Sequence, residues 1–175
     1  MTPAEYIQLK AFSRVDGAWL SLLWIASFAC YIMGLTSQLY GMVAMMLALI
    51  TPFFVARRLR LFRDEALDGQ ISFLRGYAYS VLTFFYAGIL FAVAQYCYFA
   101  FIDSGYLAMC IGKMIDSPEG QLLAEQYDMK EVLAESLQAL KDMRPIDFAL
   151  NVLTVNISIG LVLGVPVALL MQKKR

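Results

Sequence analysis

Between Gly17 and Ala56 the chain runs for forty residues without a charged side chain. A core helix of a water-soluble domain has no use for that length, whereas a hydrocarbon layer about 30 Å thick takes about 20 apolar residues per helical crossing. The run is long enough to cross twice. Thr36, Ser37 and Gln38, set between Gly34 and Gly41, divide it at a tight turn. Two further uncharged stretches, 76–102 and 148–172, repeat the signal, and 61% of the residues are hydrophobic, above the usual soluble content of about 45–50%. Backbone polar groups cannot remain open in lipid, so each crossing is expected to be a helix. The chain therefore reads as one all-α membrane domain over 1–175, an integral four-helix bundle with spans near 17–35, 39–56, 76–102 and 148–172. The fourth is expected to open near Pro145 or Asp147, residue types suited to a first helical turn.

Orientation follows from the basic residues. Lys10, Arg14, Arg57, Arg58, Arg60, Arg63, Arg75, Lys173, Lys174 and Arg175 fall on one side of this topology, while segment 103–147 has four basic against nine acidic residues, a local charge of −5. The expectation is a multi-pass protein of the cell inner membrane, with both termini cytoplasmic and an extracytoplasmic insert at 103–147. The uncharged run is longer than the apolar core of a signal peptide, about 7–15 residues, so the first helix reads as an uncleaved signal-anchor.

The insert has room for a water-facing element. Ser117 is placed to cap a helix, Pro118 suits its first position, and Glu119 complements its dipole. Leu122, Met129, Val132, Leu133, Leu137, Leu140 and Met143 recur along one stripe, with Asp128, Glu131, Glu135, Lys141 and Asp142 opposite. This predicts one amphipathic helix, ended at the Arg144-Pro145 step. Its apolar face either packs back on the bundle or docks a protein partner or a second copy.

Two other groups stand out. Arg57, Arg58, Arg60 and Arg63 follow a membrane exit, where basic residues fix topology and can also meet lipid head groups. Asn156, Gly160 and Gly164, spaced by four, line one helix face and invite close helix packing, within the bundle or between subunits. Gln95 and Asn151 are further polar residues in the spans, Gln95 reading as a buried hydrogen-bonding group.

Several classes of chemistry lack their residues. The sequence has no histidine, and Cys30, Cys97 and Cys110 show no metal or redox spacing. One disulfide among them is as compatible with the sequence as buried free thiols. No charge lies deep in a predicted span, as it does in ion-coupled transporters. Asp103 sits at the end of the third span and reads as a boundary residue. No catalytic residue, metal or cofactor is expected, and nucleic acid is not an expected partner.

The stretch FRDEALDGQISFLRGY, with Gly69-Gln70-Ile71-Ser72-Phe73 leading into an aromatic span that ends Tyr98-Phe99-Ala100-Phe101-Ile102-Asp103, resembles the family known as domain of unknown function 4199. The resemblance covers most of the chain. It implies four spans with a hairpin first, an outer insert rich in Glu, Gln and Met, and an inner-membrane location, mainly in Bacteroidota; it implies no activity and no catalytic residues. The insert here is less Met-rich than that pattern. The functional expectation is a non-enzymatic scaffold or accessory subunit. The alternative is a small oligomeric transporter or channel with Gln95, Asn151 and Asn156 along a path.

Overall fold

The structure, a computed structural model, describes residues 2–173. Lys174 and Arg175, counted above among the basic residues, lie outside them. Among the described residues seven helices follow in order: α1 (Pro3–Gly34), α2 (Gln38–Ala66), α3 (Phe73–Phe101), α4 (Tyr106–Ile115), α5 (Pro118–Gln126), α6 (Lys130–Asp142) and α7 (Pro145–Met171). α1, α2, α3 and α7 are long and apolar enough to cross a membrane. Together they form an all-α membrane bundle.

Local chemistry explains where these helices begin. Thr2 and Glu5 form a reciprocal capping box ahead of α1. Ser72 accepts the Arg75 N–H at the start of α3. Arg144 and Asp147 bond each other across the first turn of α7, where Pro145 needs no donor of its own. Between α1 and α2 the turn is tight because neither Gly34 nor Gly41 carries a Cβ. A Cβ on Gly34 would lie 2.7 Å from the Gly41 Cα.

α3 is the central helix, packed extensively against α7 and α1, while α2 packs mainly on α1 and touches α7 and α3 more lightly. Lipid tails are as apolar as leucine, so association in this setting depends on close packing and on satisfied polar groups rather than on hydrophobic burial. Small residues supply the closeness. Gly17 of α1 meets α3 where a Cβ would stand 2.9 Å from the Thr83 carbonyl, and Gly76 of α3 faces Ala168 of α7. Ser80 and Thr83 turn their hydroxyls onto carbonyls one turn back in α3, at 2.9 and 2.8 Å. Two bonds stitch α1 to α2: Trp24 Nε1 donates to Thr51 Oγ1 at 3.0 Å, and Ser27 Oγ donates to the Ala44 carbonyl at 2.9 Å. The outward faces carry large exposed apolar side chains, Phe53, Leu74, Val162 and Leu170 among them.

Three features differ from the sequence expectation. α2 runs on through Ala66, beyond the expected end of its span at 56, so Arg57, Arg58, Arg60 and Arg63 stand on its last turns. The insert holds three helices instead of one: α4 precedes the expected element, and that element breaks between α5 and α6 at Asp128, whose φ is 52°. Aspartate tolerates this left-handed conformation better than most side chains. Ser117 nevertheless caps α5 as expected, accepting the Gly120 N–H at 3.0 Å.

Candidate functional site

The chain concentrates polar contacts at one end of the bundle and space at the other. At the arginine end, Asp16 of α1 is buried, 1% exposed. Its Oδ1 accepts from Arg58 Nε of α2 at 2.5 Å and also from Arg58 Nη2, and its Oδ2 accepts from the Tyr79 hydroxyl of α3. Three helices thus meet on one carboxylate. Tyr79 stacks on Phe62 at 5.0 Å with the rings 11° apart, and Phe62 in turn contacts Phe12. With donors from two other helices on its two oxygens, the Asp16 carboxylate ties α1, α2 and α3 together by charge-assisted hydrogen bonds. Its chemistry is that of a clasp.

The same end is closed by α7. Arg63 Nη1 donates to the Met171 carbonyl at 3.1 Å, satisfying an open carbonyl at the helix C-terminus, and Ile71 pairs with Lys173 through two backbone bonds of 3.1 Å. Arg75 reaches Glu5 and Gln8 on α1 at 3.2 and 3.3 Å. Of the four arginines read as a head-group cluster, Arg58 and Arg63 therefore have internal partners, while Arg57 and Arg60 are exposed.

Away from this clasp α2 and α7 wall an open apolar cleft of about 520 Å³, lined also by Trp24 and Phe28 of α1 and Phe91 of α3. A second chamber of about 800 Å³ lies between the α1–α2 turn and the insert, lined by Ile111 and Met114 of α4, Leu123 of α5, Leu133 of α6 and Met129 just before it, among others. Tyr31, Gly41 and Met45 line both spaces.

The remaining sequence-predicted residues fall as follows. Gly160 meets Phe84 so closely that a Cβ would lie 2.5 Å from the Phe84 Cβ; Gly164 lies against Tyr77, and the Asn156 Cβ faces Gly88. The Asn156 stripe is thus the α7–α3 contact within one chain. Asn156 Nδ2 bonds the Val152 carbonyl at 2.9 Å, and the residue also lines the cleft. Gln95 is buried in α3, whereas Asn151 is exposed on α7. In the insert, Leu133, Leu137 and Leu140 are half-buried, with Leu137 against Gly112 of α4, but Leu122 and Met129 are exposed. Asp103 is buried and accepts the Gly105 and Leu107 N–H groups at 3.0 and 3.2 Å, shaping the entry to α4. Cys30, Cys97 and Cys110 are free thiols.

Sequence reasoning missed the Asp16–Arg58–Tyr79 clasp. The available signal was positional: Asp16 immediately precedes the uncharged run, and Arg58 is the second residue after it. If that run is a hairpin of two arms, its flanking residues return to the same end.

Four membrane-crossing helices, an internal ion pair at one end and an apolar cleft open at the other define a helical integral membrane protein. The chain belongs to the family described as Protein of unknown function (DUF4199), whose model matches residues 16–173 and so takes in Asp16, Arg58 and Tyr79. No curated protein and no solved structure matches the chain.

Proposed function

We propose that the protein is a non-enzymatic scaffold or accessory subunit of the cell inner membrane, with both termini cytoplasmic and the insert outside. The observation that carries this reading is the insert itself. α4, α5 and α6 pack on one another more than on the four long helices, yet Leu122 and Val132 remain 64% and 54% exposed. Acidic neighbours Glu119, Glu125, Asp128 and Glu131 surround these positions in sequence, which suits a basic amphipathic segment of a partner protein. Arg57 and Arg60 of α2 and Lys10 and Arg14 of α1, all exposed, suit a cytoplasmic leaflet rich in anionic lipid.

The test is gentle co-purification from native membranes, with mass measured in detergent, for the wild type and for Leu122→Glu with Val132→Glu. The reading expects a defined protein partner that the double variant loses while the unfolding temperature of the membrane helices is unchanged. A lone monomer, or a partner retained equally by the variant, overturns it. Ion or solute flux through liposomes containing the purified protein alone would favour the channel alternative instead.

A further inference from the structure

We propose that the cleft between α2 and α7 and the chamber beneath the insert form one binding site for a single membrane lipid, a zwitterionic lipid with an ammonium head group. The inference goes beyond the scaffold reading and stands without it. The α2 wall is cut back because Gly41, Ala44 and Ala48 recur at helical spacing on the cleft side. Each of the two spaces, about 520 and 800 Å³, falls within the range of about 300–1,000 Å³ typical of small-molecule sites. They are continuous with the lipid-facing surface, where the exposed Met46 and Leu49 of α2 and Val155 of α7 adjoin the cleft walls. Both spaces are open, and water in so apolar a groove would find few partners. A hydrocarbon chain entering from the side fills it.

The charges select the head group. Neither lining contains an Asp, Glu, Lys or Arg. Charges begin at the rim of the insert chamber, where exposed Asp116, Glu119, Glu125 and Asp128 each adjoin a lining residue in sequence. The bases there are Lys113 and Lys130, and Glu125 already holds Lys130 at 2.6 Å. Either lipid, placed with its chain in the cleft, brings a phosphate toward these carboxylates, but only the zwitterionic one also brings an ammonium group that offsets the repulsion.

The purified protein in detergent, offered equal amounts of phosphatidylethanolamine and phosphatidylglycerol with identical chains, is examined by native mass spectrometry. The expected result is one retained lipid with a preference for phosphatidylethanolamine of about fivefold, the factor one unfavourable surface charge produces. Ala48→Trp, which fills the cleft, abolishes retention, and Val162→Trp on the exposed face of α7 does not. Glu119→Gln with Asp128→Asn keeps one lipid bound but flattens the preference. Equal retention by the two tryptophan variants, a wild-type preference for phosphatidylglycerol, or no retained lipid overturns the proposal. Should Ala48→Trp fail to fold, the wild-type preference and its loss on neutralising the rim decide the matter.

Discussion

Asp16 and Arg58, on different helices and 42 residues apart, share a carboxylate–guanidinium contact whose Nε–Oδ1 separation is 2.5 Å. The pair is asymmetric: 2% of the Asp16 side chain is exposed and 33% of Arg58. Burial makes the carboxylate dependent on its donors, because a charge removed from water and left unpaired costs more than the pair gains when intact. Tyr79, itself fully buried, adds the third helix to this arrangement.

The asymmetry predicts which half of the pair matters more. Arg58→Met leaves the buried Asp16 charge uncompensated and should destabilise the bundle by about 2–3 kcal/mol, toward the low end for a broken buried pair because Arg58 is part-exposed. Asp16→Asn keeps an acceptor for Tyr79 and should cost less. Combining the two should be less harmful than Arg58→Met alone, since the double variant contains no orphaned charge. Unfolding in detergent across this four-member cycle measures the coupling, and additive losses would remove the clasp from the account.

The helix contact made by Gly160 predicts a graded response to alanine. At Gly160 the new methyl would lie 2.5 Å from the Phe84 Cβ, an atom fixed to the α3 backbone, so Gly160→Ala should lower stability by about 1–3 kcal/mol. Gly164→Ala meets the Tyr77 ring at 3.2 Å, which can swing aside, and should cost less. Gly112 in α4 has 3.5 Å of clearance from Leu137. There the helix preference for alanine should prevail, with a gain of about 0.5–1 kcal/mol. Thermal unfolding of the three variants checks the order.

The spans were legible because lipid imposes a length and forbids charges over it, and the α7 packing face because Asn156, Gly160 and Gly164 recur at the helical period. The start of α5 was legible from Ser117-Pro118, whose chemistry is local. The rest depended on information that is not local. α4 opens after Gly105 in a left-handed conformation, φ 85°, and its first amides are met by Asp103, which stands ahead of the cap position and reads in sequence as the end of the third span. Asp128 ends the continuity of α5 and α6 through a single backbone angle, although the apolar stripe passes through it unbroken. Arg58 looked like one member of a basic cluster because its partner, Asp16, lies beyond the whole hairpin.

The break at Asp128 changes what a charge on the α6 stripe does. Leu137 packs on Gly112, so Leu137→Asp should separate α6 from α4 and expose the insert rather than merely erase a docking contact. Hydrogen exchange should rise throughout 106–142 and remain unchanged in α3 and α7. Leu122→Asp, at a position already 64% exposed, should leave exchange in the insert near its wild-type level.

Across the same break, Lys130 Nζ donates to Glu125 Oε1 at 2.6 Å and joins the end of α5 to the start of α6. The hydrogen bond from Lys130 and then its charge hold the Glu125 carboxyl below the ordinary glutamate range. A carboxyl depressed in the folded state contributes stability above its unfolded-state pKa and loses that contribution as the pH falls through the lower, folded-state value. The ion pair should therefore persist through neutral and mildly acidic solution and fail only below the pH at which an ordinary glutamate protonates. Both groups are exposed, so the effect belongs to this corner and is screened by salt. Carbon-13 titration of the Glu125 carboxyl should give a midpoint below the ordinary glutamate range, and Lys130→Ala should raise it. A Glu125 midpoint that ignores Lys130→Ala would mean the corner at Asp128 is held by its backbone alone.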